Sequence, residues 1–115
     1  MPTTNVVLYA RYSSSGQNDK SPEQQFEVCE EYCKRNGYTV ITRYIDEAKT
    51  GTNDKRPDFQ RMIGDSRSGN FQFVIVYKLD RFARNRYDSA HYKAILRKNG
   101  VKVLSACENI ADDPS

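Results

Sequence analysis

Apolar runs of strand length alternate along this chain with segments whose apolar residues recur at helical spacing. The runs cover residues 6–10, 38–45, 73–77 and 101–106, and the second of them alternates between apolar and polar positions. This alternation is typical of repeated strand-helix-strand units. We therefore predict an α/β fold with a mainly parallel sheet of about four strands flanked by helices.

Local start and stop signals place helices between these strands. The first helix is expected to begin with Ser21 as N-cap and Pro22 at its first position, and Gln24 completes a capping box. It should end at Gly37. The second helix should begin near Pro57, and its expected buried side chains are Phe59, Met62, Ile63 and Ser66.

The third helix is expected to start around Asn85, with Gly100 as a left-handed C-cap. The helical spacing of its apolar residues predicts which side chains face the core. That predicted face consists of Tyr87, Ala90, Ala94 and Ile95.

Length and composition limit the possible classes of protein. A chain of 115 residues, 29% charged and 37% hydrophobic, is typical of one folded domain with a solvated surface. The net charge of +3 permits an anionic partner but does not by itself indicate nucleic acid. No apolar stretch is long enough to span a bilayer, and the first residues lack the features of a secretion signal, so we expect a cytoplasmic protein.

Three cysteines in a chain without an export signal predict reduced thiols rather than a disulfide framework. Cys29 and Cys33 are four residues apart on the first predicted helix. Because the sequence has one histidine and no second cysteine pair, a zinc site is disfavoured and we expect buried thiols.

Polar and charged side chains follow three of the predicted strands at the points where the strands end. They occupy residues 11–17, 46–51 and 78–84, and Glu108 has the corresponding place after the fourth strand. Ligands of open parallel sheets bind at the carboxyl ends of the strands. We therefore expect these segments to converge on one functional edge.

Strand alternation distinguishes among the serines that follow the first strand. Residues two apart share a face, so Tyr9, Arg11 and Ser13 line up if the extended backbone continues, whereas Ser14 points away. Ser13, held beside a guanidinium, is therefore the candidate nucleophile. A serine cluster before Gly16 is also typical of an ordinary polar loop, and the residues alone leave that interpretation open.

Arg81, Arg84 and Arg86 crowd the start of the third helix, where the helix dipole disfavours positive charge. A bound phosphodiester would relieve this conflict through paired guanidinium hydrogen bonds. The alternative is a solvated basic helix face. Asp80, set among these cations, is either a salt-bridge partner or the group that handles the proton of a sugar hydroxyl.

These motifs together resemble a known family, the serine site-specific recombinases, which include resolvases, invertases and the large phage and transposon integrases. Residues 9–14 resemble the family's Y-A-R-x-S motif, residues 78–84 its L-D-R-[LF]-x-R signature, and residues 21–25 the S-x-x-x-Q stretch of large members. Further matches are Gln17, Asp46, Thr50-Gly51 and Arg56-Pro57. The matches cover nearly the whole chain in the family's order, and the departures at Tyr12 and Thr50 remove no catalytic group.

The resemblance implies a resolvase-like three-layer fold and a reaction in which Ser13 attacks a DNA phosphate, forms a 5′-phosphoserine link and releases a 3′-hydroxyl. It implies that Arg11, Arg81 and Arg84 hold the scissile phosphate, that Asp80 helps with protons, and that no metal or other cofactor is needed. The residues expected to support these groups or to bind substrate are Tyr9, Gln17, Gln25, Asp46, Arg56 and Lys78.

The resemblance also implies double-stranded DNA as the partner and, in a full-length protein, a homodimer that forms a synaptic tetramer for integration, excision or inversion of mobile DNA. We expect residues 1–110 to form the catalytic domain and residues 111–115 to begin a linker toward a dimerisation helix and DNA-binding domains. The isolated chain is expected to be monomeric or weakly associating, away from membranes, and of bacterial or phage origin.

Two other functions remain open on the sequence alone. One is a magnesium-dependent nuclease that uses Asp46, Asp80 and Glu108, although no motif spacing suggests a metal site. The other is a non-catalytic regulatory domain with an anion pocket, although the loop after the first strand has neither G-x-G-x-x-G nor a P-loop. A covalent protein-DNA adduct that survives a chelator would distinguish the serine mechanism from both.

Overall fold

The computed structural model describes residues 4–12, 21–47, 56–82 and 86–107, with the side chain of Asp80 left out. The predicted strands and helices are all present in these ranges. In chain order they are β1 (Thr4–Tyr12), α1 (Pro22–Asn36), β2 (Tyr38–Glu47), α2 (Pro57–Asp65), β3 (Phe73–Val76), α3 (Arg86–Lys98) and β4 (Lys102–Ser105). Two short 3-10 turns, Ser66–Ser68 and Leu79–Arg81, follow α2 and β3.

The strands form one sheet in the order β2-β1-β3-β4, and each neighbouring pair is parallel. The predicted three-layer α/β fold is confirmed: α1 packs on one face of the sheet, and α2 and α3 pack on the other. The chain leaves β1 toward β2 and then returns to β3 on the opposite side of β1. In parallel sheets with such a reversal, ligands bind outside the carboxyl ends of the two strands at the switch point, which here are β1 and β3.

The boundaries of α1 follow from its sequence as predicted. Ser21 Oγ accepts a hydrogen bond from the Gln24 backbone N–H at 3.2 Å, and Gln24 Oε1 accepts one from the Ser21 N–H at 3.1 Å. Gly37 ends the helix at φ 74°, a left-handed conformation that suits glycine. Cys29 and Cys33 are buried in the core beneath α1 as free thiols, as expected.

A bulge in β2 changes the face to which its side chains point. Val6 pairs with Val40, but Val7 pairs with Thr42, so Ile41 is an extra residue in the strand. Before the bulge, Val40 packs on the α1 side of the sheet. After it, Tyr44 packs in the core on the α2 side, and the even-numbered positions that follow share that face.

The predicted buried face of α3 is wrong. Tyr87 is 79% exposed, Ala90 and Ala94 are exposed, and Ile95 is only half-buried. The core instead receives two larger side chains, those of Leu96 and Tyr92. Leu96 is fully buried, and the Tyr92 ring contacts the Phe59 ring at a centroid distance of 4.9 Å. Burial of these side chains removes more apolar surface from water than burial of the alanine stripe would.

No helix in the described ranges is long and apolar enough to cross a membrane.

The corrected face of α3 predicts unequal costs of substitution along one helix. Leu96→Ala should lower the free energy of unfolding by about 2–5 kcal/mol, because it leaves a cavity in the core. Tyr87→Ala should change it by less than about 0.5 kcal/mol, because the side chain is exposed. Urea denaturation of both variants checks this, and equal effects would contradict the orientation of α3.

The buried thiols predict a loss of stability in alkali. Burial is the main cause that raises the pKa of Cys29 to about 12 and that of Cys33 to about 11. In the unfolded chain a thiol ionises near pH 8.5, so the unfolded state gains stability above that pH while the folded thiols remain protonated. The free energy of unfolding should therefore fall by about 2 kcal/mol for each thiol, or about 4 kcal/mol for both, between about pH 8 and about pH 10.

Urea denaturation at the two pH values measures this loss. The loss should shrink in Cys29→Ala and persist in Cys107→Ser, because Cys107 is exposed. A Cys29→Ala variant with the same pH dependence as the unaltered chain would contradict the assignment.

Candidate active site

The end of β1 carries the first predicted site residue, Arg11. Arg11 pairs in register with Asp46 of β2, and its side chain is half-buried. Its backbone carbonyl accepts a hydrogen bond from Gln25 Nε2 at 3.1 Å. Gln25 is 0% exposed, so α1 fixes the end of β1 through this amide from below the sheet.

Asp46 is the centre of a buried hydrogen-bond network. Tyr9, which is 0% exposed, donates its phenolic hydrogen to Asp46 Oδ2 at 3.0 Å. Asp46 also accepts the backbone N–H groups of Asp58 at 3.1 Å and Phe59 at 2.9 Å, both in the first turn of α2. The N-cap of α2 is Arg56, whose side chain makes no capping bond to this described turn. The carboxylate of β2 therefore caps α2 from the neighbouring strand.

Asp58 completes a reciprocal contact between β2 and α2. Its Oδ2 accepts the backbone N–H of Ile45 at 3.0 Å, and Arg61 Nη2 lies 3.6 Å from the same oxygen. Sequence analysis missed this residue. An aspartate directly after Pro57 is a recognisable helix-start signal, but the partner strand becomes known only from the fold.

The phenol of Tyr9 remains protonated in this environment. Burial raises its pKa above the ordinary tyrosine value, and the negative charge of Asp46 raises it further. The Arg56 guanidinium opposes both effects without overcoming them. Tyr9 therefore acts as a hydrogen-bond donor to Asp46 and not as an acid.

Arg56 links the start of α2 to the segment after β3. It is 5% exposed, and its Nη1 donates to the backbone carbonyl of Phe82 at 2.7 Å. Its Cζ lies 3.8 Å from the centroid of the Phe59 ring. Among the described residues, Arg56 is the one non-glycine with positive φ, at 44°. Such a backbone costs free energy, which these contacts must offset.

The segment after β3 is a short turn held at both ends. Lys78 O accepts the N–H of Arg81, and Leu79 O accepts the N–H of Phe82, each at 2.9 Å. Phe82 is fully buried and contacts the Phe59 ring edge to face at 5.3 Å. Arg81 is half-buried on this turn, which contacts β1, and Lys78 is exposed.

Several predicted site residues lie outside the described part of the chain. Ser13, Gln17 and Arg84 are not described, and for Asp80 only the backbone in the Leu79–Arg81 turn is. Their roles stay predictions. Of the described elements that carry predicted site residues, the Arg81 turn contacts β1, the strand that carries Arg11.

The hydrogen bonds of Asp46 argue against the alternative function of a magnesium-dependent nuclease. Both of its oxygens accept hydrogen bonds from within the domain, and the residue is 5% exposed. A magnesium ligand would need at least one oxygen turned toward the ion. Both carboxylate oxygens of Asp46 therefore serve to connect elements of the fold. Among the described residues, no group of three or more His, Cys, Asp or Glu side chains is placed to hold a metal ion.

Comparison with known proteins decides the family. The sequence model of the family described as "Resolvase, N terminal domain" matches residues 6–115. The chain belongs to the resolvase family. Its fold is that of serine recombinase catalytic domains, since the N-terminal catalytic domain of TP901-1 integrase superposes with a TM-score of 0.77 at 31% identity, over 90% of this chain and 77% of that one.

Two further relatives agree with this assignment. A resolvase family site-specific recombinase from Streptococcus pneumoniae superposes with a TM-score of 0.80 at 32% identity, over 96% of this chain and 78% of that one. The Tn21 resolvase of Escherichia coli is 30% identical over 105 residues, which is 91% of this chain and 48% of the resolvase. The chain spans half or less of the length of the curated relatives that it matches.

The Asp46 network predicts that a conservative change at Tyr9 is costly in this resolvase domain. Tyr9→Phe should lower the free energy of unfolding by about 1.5–3 kcal/mol, because it removes a donor to a buried carboxylate. Tyr87→Phe is the matched control, and it should change the free energy by less than about 0.5 kcal/mol because Tyr87 is exposed.

A double-mutant cycle isolates the interaction between the two side chains. Tyr9→Phe combined with Asp46→Asn should destabilise the domain by less than the sum of the two single changes. Strict additivity, measured by urea denaturation, would show that the Tyr9 hydroxyl does not stabilise Asp46.

Proposed function

We propose that this chain is the catalytic domain of a site-specific DNA recombinase that cleaves and rejoins strands through a covalent 5′-phosphoserine intermediate. The observation that carries the proposal is the contact between β1, which carries Arg11 near its end, and the Arg81 turn after β3. Both lie at the carboxyl edge of the parallel sheet, where ligands of such sheets bind. Family membership supports the reaction class.

In the proposed reaction, Ser13 Oγ attacks the phosphorus and the bond from phosphorus to the 3′-oxygen breaks. The serine proton leaves, and the 3′-oxygen gains a proton, with Asp80 helping in this transfer. Arg11, Arg81 and Arg84 bind the phosphate and stabilise the charge that develops on its oxygens. Because the ester bond to Ser13 replaces the one that breaks, attack by a 3′-hydroxyl on the phosphoserine reverses the step and releases the serine. The supporting residues in this proposal are Gln17 and Lys78.

The buried residues of the predicted substrate set receive a different role in this proposal. Tyr9, Gln25 and Asp46 are each at most 5% exposed, and each bonds to another part of the domain. Arg56 is equally buried and holds the Phe82 carbonyl. We therefore assign these four as positioning residues, which act on the phosphate through Arg11 and the Arg81 turn.

The proposed partners are those of the full-length protein, and we infer them from the family. We propose double-stranded DNA as substrate and a homodimer that assembles into a synaptic tetramer. In this proposal residues 1–110 form the catalytic domain and residues 111–115 begin a linker, in a cytoplasmic protein of bacterial or phage origin. The relatives are at least about twice as long as the chain, so these partners would engage regions beyond the domain.

The test uses the full-length protein and DNA that carries its recombination site, with wild type, Ser13→Ala and Ser14→Ala compared in the presence of a chelator. Protein covalently attached to DNA should form with wild type and Ser14→Ala, and should be lost with Ser13→Ala by a factor of about 10³ or more, since the nucleophile is removed. The readout is the band of the adduct on a denaturing gel.

Two results would count against the proposal. If DNA is cut without any adduct, and the chelator stops the cutting, the domain is a metal-dependent nuclease. If the adduct persists in Ser13→Ala, another side chain is the nucleophile.

A further inference from the structure

Charge is distributed unequally between the two faces of the sheet. On one face, α1 carries Lys34 and Arg35 against four glutamates, a net charge of 2 − 4 = −2. On the other face, α3 carries four cations against Asp88, a net charge of 4 − 1 = +3, and α2 carries Arg61 against two aspartates, a net charge of 1 − 2 = −1. Helix α3, with 13 residues, thus has the same net charge as the whole chain, +3.

The cations of α3 lie mostly on its outward face. Within α3, all of which the structure describes, the exposed positions carry no carboxylate. These positions are Arg86, Tyr87, Ala90, His91, Ala94, Arg97 and Lys98. By contrast, the exposed Arg43 on the α1 side of the sheet donates to Glu30 at 2.7 Å, so its charge is balanced by a neighbouring carboxylate.

Tyr87 adds an aromatic group to this basic face. It is 79% exposed on the first turn of α3, next to Arg86, whereas the Tyr92 ring of the same helix is used in the core. At this exposure the Tyr87 ring contributes little to the core, so its packing gives no reason for an aromatic residue beside Arg86. Its ring and hydroxyl do suit contact with sugars, phosphates and bases of a nucleic acid.

The basic face begins beside the proposed cleavage site and runs away from it along α3. The Arg81 turn leads into α3 within five residues, and Tyr9, which shares a face of β1 with Arg11, packs in the core beneath α2 and α3. Helix α3 is about 20 Å long at 1.5 Å per residue. Along that length a DNA duplex presents about a dozen phosphates, at one charge per 1.7 Å.

From this placement we infer that the exposed face of α3, with Arg86, Tyr87, Arg97 and Lys98, binds the sugar-phosphate backbone of the stretch of DNA duplex that extends from the scissile phosphate. The inference rests on the proposed function and deepens it, because it sets the side of the domain from which the substrate approaches. DNA lies against the α3 face, and the acidic α1 face points away from it. The contact is independent of base sequence.

The test compares two double variants that change net charge equally. Arg97→Gln with Lys98→Gln alters the last turn of α3, and Lys34→Gln with Arg35→Gln alters the last turn of α1, where both side chains are also exposed. Binding of the 115-residue chain to a fluorescent duplex of about 30 base pairs is followed by anisotropy between about 50 and 200 mM NaCl.

The α3 variant should bind more weakly, and its plot of log K against log salt should be less steep by about 1–2, since each lost phosphate contact removes about 0.9 from the slope. The α1 variant should keep the slope of the unaltered chain. Tyr87→Ala should lower the affinity without changing the slope, because it removes no charge. Circular dichroism confirms that each variant is folded.

Equal losses in the two double variants would overturn the inference, because net charge alone would then explain binding. Normal DNA binding by the α3 variant would also overturn it, and would favour an acidic protein as the partner of this face. Neither result affects the proposed chemistry, which depends on the Ser13 adduct. Conversely, a full-length protein that binds DNA through α3 but forms no adduct would refute the chemistry alone.

Discussion

The domain depends on one buried carboxylate, that of Asp46. It joins three elements, since it accepts the Tyr9 hydroxyl of β1 and two first-turn N–H groups of α2 while its own backbone belongs to β2. Burial of a charge is costly unless hydrogen bonds replace its water. Three donors and the positive end of the α2 dipole supply that replacement here. The same hydrogen bonds provide an acceptor for the Tyr9 hydroxyl and for two backbone N–H groups of α2, which would otherwise be buried without a partner.

Arg56 extends this network to the segment that carries Asp80 and Arg81. Its guanidinium stacks on Phe59 beside the Asp46 contacts and donates to the Phe82 carbonyl. Hydrogen bonds and a cation–ring contact thus connect the end of β1 and the turn after β3 to the buried Asp46 network. Such ties matter for phosphoryl transfer, where catalysis depends on groups held in position rather than on their acidity alone. The Asp46 network explains why these polar residues are buried although they do not contact DNA in the proposed mechanism.

Local signals in the sequence predicted the boundaries of α1 correctly, but they did not predict the bulge in β2 or the buried face of α3. The caps of α1 at Ser21 and Gly37 are encoded within the helix itself and were predicted correctly. The bulge at Ile41 depends on pairing with β1, so the sequence of β2 alone could not reveal it, although it turns Asp46 toward Tyr9. The face of α3 was wrong because the alanine stripe and Tyr87 match the helical period as well as the true core residues do.

For the candidate site as well, the sequence identified individual residues, whereas contacts between elements became known only from the fold. Motif order identified Tyr9, Asp46 and Arg56 as candidate site residues, but only the fold shows that all three are buried. Asp58 was missed because its partner, the Ile45 N–H, lies on another element. For the arginines at the start of α3, the sequence allows either a bound phosphodiester or a solvated basic face. Their contrast with the acidic α1 becomes visible only when the two helices are seen on opposite faces.

The most direct measurement is to map the DNA-linked residue by mass spectrometry. A trapped complex of the full-length protein would be digested with nuclease and trypsin, which leaves residues 12–20 as one peptide because trypsin cleaves after Arg11 and after Lys20. Fragmentation should place a nucleotide, attached through its 5′-phosphate, on Ser13. Attachment to Tyr12, to Ser14 or to a peptide elsewhere in the chain would contradict the account.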